Sequence, residues 1–201
     1  KFQYGWVLRR STQFSTYNSA LVGSYWGCSV RDPFTITFCQ QDSLQIRNCS
    51  MTSAHKPTGS ATPNDEVRWA GVTAWAMTPA YNNLGFGATR NPSAVGLTDM
   101  SVLHSPNPVP APGSELIGSA DFTNPRLADP FFTPVSYRGA FEPGKPMNEQ
   151  WTAEWTNFDP QWIDYSGVQT GTENRMPYVA RLEQNHPNPF SSGSFGNPLT
   201  S

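Results

Sequence analysis

Few side chains in this chain are spaced to do chemistry. Asp159 and Asp164 lie five residues apart among aromatics. Two carboxylates flanking a sugar ring can hydrolyse a glycoside, but an Asp159 that caps a turn before Pro160 is the preferred reading. His55, His104 and His186 all sit in loop-like contexts without a close acidic or cysteine partner. No metal site and no cofactor are therefore expected. The motifs HExxH, GxxxxGK[ST], GxSxG and GxGxxG do not occur, so no residue is assigned a catalytic role. Arg9, Arg10 and Arg31 recur at matching places, which suits either a binding stripe for acidic sugars or solvated arginines paired with Asp32 or Asp42. The second is preferred. Trp69 and Trp75 are read as core or cap packing before a sugar-stacking platform.

Cys28, Cys39 and Cys49 show neither a CxxC pair nor a zinc spacing. Two readings stay open for them. Cys39 bridges Cys28 or Cys49 in an exported chain, or all three are buried free thiols.

The elements that would position these residues repeat early in the chain. GWVLRR (Gly5 to Arg10) returns as GCSVRD (Gly27 to Asp32), 27 − 5 = 22 positions on. FSTYNSALVG (Phe14 to Gly23) returns as LQIRNCSMTS (Leu44 to Ser53), with Asn18 and Asn48 at 48 − 18 = 30 positions. A period near 22 without helical phasing suits stacked strand-and-turn layers. The alternation of apolar residues flips phase at each asparagine, as a turn between strands requires. Asn tolerates the left-handed backbone such a turn needs, so Asn18 and Asn48 are expected one above the other. The fold class expected is all-β: right-handed parallel β-helix coils with a short helical cap and an irregular closing region.

Expected strands are Tyr4–Leu8, Gln13–Tyr17, Ser19–Val22, Cys28–Val30, Thr35–Phe38, Leu44–Arg47 and Cys49–Thr52. A polar loop follows over Ala54–Thr62. Asn64-Asp65-Glu66 reads as a helix start, with Val67, Trp69, Ala70, Val72 and Ala76 on its apolar face and Pro79 ending it. Ser105–Gly113 is an extended, proline-rich connector. Glu115–Gly118 and Pro134–Phe141 are further strands. Trp151, Trp155 and Trp162 with Phe131, Phe132 and Phe158 form an aromatic cluster expected to pin the closing region. Gly167–Arg175 reads as part of a linker. The domains are then 1–165 for coils, cap and closing segment, 166–181 for the linker, and 182–201 for a tail.

Composition excludes some classes. Net charge is −2 with 14% charged residues, so no basic surface for nucleic acid is expected. Nineteen prolines and sixteen glycines make a chain rich in turns. Seven tryptophans and 13% aromatics argue against general disorder. No apolar run approaches the roughly 20 residues of a membrane span.

Three stretches resemble known families. PGSELIGSA (Pro112 to Ala120) and YRGAFEP (Tyr137 to Pro143) are similar to the closing segments of bacterial right-handed parallel β-helix proteins, with Glu115 where proline is usual. Residues 120–165, with the LRR and NSALVG elements upstream, resemble secreted proteins of the Bacteroidota. The run Leu182-Glu183-Gln184-Asn185-His186-Pro187-Asn188-Pro189-Phe190 looks like the start of a type IX secretion C-terminal sorting domain. Leu182, Gln184, Asn185, Pro187, Asn188, Pro189 and Phe190 carry that likeness, and His186 stands where Tyr is common. The resemblance implies the C-terminal part of a longer protein of the outer surface of a Gram-negative bacterium. Its partners would be the type IX outer-membrane machinery, through the tail, and a protein partner or surface assembly. The function expected is structural or adhesive. The alternatives are the end of a polysaccharide lyase or hydrolase whose catalytic coils lie upstream, or an accessory subunit bound to another complex.

Overall fold

The computed structural model describes residues 4–58, 69–102 and 105–162. The chain divides into two compact units, 1–160 and 161–201. The first runs β1 (Tyr4–Leu8), β2 (Thr16–Tyr17), β3 (Ala20–Val30), α1 (Pro33–Gln40), β4 (Ile46–Arg47), β5 (Ser50–Thr58), α2 (Val72–Ala76), β6 (Leu97–Asp99) and β7 (Asn107–Pro110). Short 3-10 turns punctuate the second half.

The strands make small separate sheets. β1, β3 and β5 pair in parallel, in that order, and β2 pairs with β4 in parallel. β6 and β7 form an antiparallel pair. Trp6 lies opposite Cys28, Thr16 opposite Ile46 and Ala20 opposite Ser50, which are the offsets of the sequence repeat. Gly5 and Gly27 are needed by contact. A Cβ on Gly5 would overlap the Leu21 side chain, and one on Gly27 the Pro57 carbonyl.

Between β2 and β3, and again between β4 and β5, the chain turns at an asparagine. Asn18 and Asn48 have φ of 48° and 53°. A third, Asn82, has φ of 51° and joins the stack. The Asn18 amide donates to the Arg47 carbonyl at 3.2 Å, and the Asn48 amide donates to the Tyr81 carbonyl at 2.8 Å. The Asn82 Nδ2 donates to Asn48 Oδ1 at 3.1 Å. Left-handed backbone costs most residues roughly 1–2 kcal/mol, and asparagine is among the few that visit it routinely. Beneath the stack lies one apolar core of Leu8, Cys28, Val30, Cys39, Leu44, Ile46, Cys49, Met51, Val72, Trp75, Ala76 and Phe86.

The parallel β-helix expectation is overturned. Among the described residues no sheet closes, no solenoid forms, and the content is mixed α/β with both parallel and antiparallel pairs. Two local causes account for this. The extra residues of the second repeat, read as strand Thr35–Phe38, fold as the eight-residue helix α1. Asp32 caps it by accepting from the Thr35 amide at 2.9 Å, and Pro33 opens its first turn. Capping and proline at the start outweigh the β-branched residues inside. Beyond β5, the third passage of the chain adds one isolated bridge, Leu84 to Ser50, and forms no strand beside β5 among the described residues.

Other expectations shift too. Ser19–Val22 and Cys28–Val30 are one strand, and β5 runs through the expected polar loop to Thr58. Glu115–Gly118 and Pro134–Phe141 contain no strand residues. The expected helix start at Asn64-Asp65-Glu66 lies outside the described residues, and α2 begins at Val72. No described helix is long and apolar enough to cross a membrane.

The stack gives a sharp comparison. Asn48→Gly keeps the left-handed turn and loses only side-chain bonds, whereas Asn48→Ala also takes the left-handed penalty. Urea unfolding is expected to show Asn48→Ala at least about 1 kcal/mol less stable than Asn48→Gly. Equal stabilities would deny the asparagine its conformational role.

Candidate functional site

A concavity of about 670 Å³ runs along residues 14–20. The opposite wall comes from Phe122, Leu127, Phe132, Val135 and Tyr137. Local turn chemistry positions that wall. Asn124 caps a 3-10 turn at Pro125–Leu127, accepting from the Arg126 amide at 2.9 Å. Arg126 then reaches across: Nη1 donates to Ser15 Oγ at 3.0 Å and to the Ser43 carbonyl at 2.9 Å, and Nη2 to the Asp42 carbonyl at 3.1 Å.

A polar network stiffens one end. Gln45 Oε1 accepts from Tyr17 Oη at 2.6 Å, Arg47 Nε at 3.1 Å and Asn124 Nδ2 at 3.0 Å. Arg47 Nη2 pairs with Asp42 at 2.7 Å and its guanidinium lies 4.2 Å from the Tyr81 ring centre. At the floor, Asn18 exchanges a pair of bonds with the backbone of Asp121, Nδ2 to the carbonyl and Oδ1 from the amide, each 2.9 Å. Gly139 N donates to the Asn18 carbonyl at 2.7 Å.

Behind the floor lies a charge. Arg138 is 1% exposed. Its Nε donates to the Ser119 carbonyl at 2.9 Å, Nη1 to Ser50 Oγ at 3.3 Å and Nη2 to the Asn82 carbonyl at 3.0 Å. Burial lowers its pKa, while the Cys49 and Glu115 sites oppose that shift. Glu115 itself holds Arg90 through two bonds, at 3.1 and 2.5 Å.

Among the described residues the groove lining contains no carboxylate, histidine or cysteine. Burial and the Glu142 charge push the Tyr137 phenol up, with Lys145 opposing, so Tyr137 presents a neutral hydroxyl. Such a lining can grip apolar or hydroxylated groups without moving protons. Among the described residues no cluster of His, Cys, Asp and Glu could hold a metal ion.

The candidates drawn from the sequence separate in space, and several fall outside. Asp164, His104, His186, Trp162's side chain and the run from Leu182 to Phe190 lie outside the described residues. Asn18 and Asn48 stand in the turn stack. His55 stacks on Tyr25, ring centres 5.0 Å apart. Of the arginines at matching places, Arg31 is buried with its guanidinium 4.9 Å from the Tyr4 ring centre, and the Arg10 amide donates to Asp32, which caps α1, while Asp42 pairs with Arg47. Trp75 is core and Trp69 packs against it. The expected aromatic cluster does not pin the closing region. Phe131, Phe132, Trp151, Trp155 and Phe158 are exposed, Phe131 to 85%. Hydrogen bonds pin it instead, through Arg138, Asn18 and Gln150, whose Nε2 donates to the Glu142 and Lys145 carbonyls at 2.9 and 2.7 Å. Arg126 and Arg138 were not singled out from sequence. A lone arginine beside glycine in an apolar run, as at Arg138-Gly139, is a weak signal without the fold.

No family model, no curated protein and no solved structure matches this chain.

All three cysteines are free and buried. Burial pushes the Cys39 and Cys49 thiols up to about 12 and moves Cys28 up further. The folded state therefore holds thiol protons that the unfolded chain releases above about 9. Stability is fully present below pH 9 and falls as pH rises from there, by up to about 1.4 kcal/mol per pH unit for each thiol. Thermal melts from pH 8 to pH 11 should show the decline, and it should flatten in the Cys28→Ala, Cys49→Ala double variant. A melt unchanged to pH 11 would contradict buried thiols.

Proposed function

We propose that this chain is an exported structural or adhesive protein of a Gram-negative cell surface that holds a partner without transforming it. The observation that carries this reading is the lining of the main groove. Aromatic rings, hydroxyls and an already engaged arginine make a surface suited to contact. They lack the paired acid and base that hydrolysis or β-elimination needs.

Export by the type IX route is the second part of the proposal. It rests on the run Leu182 to Phe190 and its likeness to a sorting-domain opening. The run follows a stretch poor in apolar residues. In this reading the tail meets the outer-membrane machinery and the folded unit before it is the cargo.

The test places the natural gene in a Bacteroidota host that has the type IX system. The expected result is protein at the surface or in the medium. Replacing Pro187, Asn188 and Pro189 by alanine should hold it in the periplasm, as should loss of the translocon. Surface delivery that survives both changes would sink the export reading.

A further inference from the structure

The geometry points to a second surface, at Trp151 and Trp155, as a binding site for a neutral polysaccharide. The inference deepens the adhesive reading above and rests on it.

Residues 151–156 form a tight non-helical turn, with Glu154 at φ 70°. The Thr156 amide donates to the Thr152 carbonyl at 3.3 Å and the Thr156 hydroxyl to the same oxygen at 2.7 Å. The rings of Trp151 and Trp155 lie together, and Thr152 and Thr156 line the cleft beside them. The two indoles are 56% and 66% exposed. Their ring centres are 5.4 Å apart at 48°, and Phe141 continues the row at 6.2 Å and 45° from Trp151. Trp155 Nε1 donates to the Trp151 carbonyl, which fixes that indole. The result is a curved row of three rings held in place, with two of them largely in solvent.

The neighbouring face opens a cleft of about 280 Å³. Ser105, Asn148, Thr152, Thr156 and Asn157 line it, among apolar neighbours, and none of the described lining residues is charged. Apolar rings beside uncharged amides and hydroxyls match a pyranose. The C–H faces of the sugar stack on the rings, while its hydroxyls exchange bonds with Asn and Thr side chains. A purely apolar protein partner would leave the Asn148 side chain and the Asn157 side-chain nitrogen unpaired on docking, which is costly. An anionic polymer would meet no cation in the cleft. The observations thus favour a neutral glycan over either.

The purified full chain is run in native gels cast with laminarin, xylan, mannan or pullulan, and with polygalacturonate as the anionic comparison. Retardation is expected in at least one neutral gel. The Trp151→Ala, Trp155→Ala double variant should lose that retardation by about tenfold or more in apparent affinity, each ring being worth roughly a factor of two to ten. Asn148→Ala, which keeps the rings and the turn, should weaken it too. Both substitutions sit on exposed side chains, and thermal midpoints within a few degrees of wild type confirm folded protein. No retardation in any neutral gel, retardation only with polygalacturonate, or retardation indifferent to the tryptophans would each overturn the proposal. So would sedimentation showing that the tryptophans serve only self-association. Because the purified chain needs no export, failure here leaves the secretion experiment standing, and failure there leaves this one.

Discussion

The structure depends on what it takes to bury one guanidinium. Arg138 brings a full positive charge to 1% exposure without a carboxylate among its hydrogen-bond partners. Such a charge is tolerated inside a protein only when its donors are met. The acceptors come from three separate segments: Ser50 on β5, the Asn82 turn, and Ser119 in the loop that leads into the groove wall. One side chain therefore ties together β5, the third turn of the asparagine stack, and the irregular second half. Its neighbour Gly139, with φ of 91°, donates to Asn18 and completes the clamp. The groove wall from 122 to 137 is placed by this clamp and by Arg126.

The early strands were legible in the sequence because their signals are local and repeated. The glycine spacing, the flip of apolar phase at Asn18 and Asn48, and the same residue types at both sites define which segments pair. The closed β-helix was the wrong extrapolation from them. Two matched layers say nothing about how the chain covers the next one. Asp32-Pro33 was a helix signal in plain view, outvoted by Thr35, Ile36, Thr37 and Phe38. Asn82 opens a Gly- and Asn-rich stretch that reads as turn material, but its place as the third turn of the stack depends on a register that is a tertiary fact.

The aromatics show the opposite failure. Their abundance after residue 130 suggested burial, since large rings usually gain most from leaving water. Here the rings lie outside, and polar contacts do the holding. Gln150 binds its own loop, Asn18 grips Asp121, and Arg138 gathers three carbonyl and hydroxyl oxygens. A segment fastened this way leaves its rings available for partners. Hydrogen-bonded fastenings of this kind have no periodicity, so composition alone cannot reveal them.

Hydrogen exchange on the Arg138→Met variant, paired with urea unfolding, tests the clamp most directly. Methionine fills similar space but strands the oxygens of Ser50, Asn82 and Ser119. Each buried acceptor left unmet costs about 1–3 kcal/mol. The account predicts a loss of at least about 3 kcal/mol, with protection lost at the Asp121 and Gly139 amides ahead of those in β3. Wild-type stability with both amides still protected would contradict it.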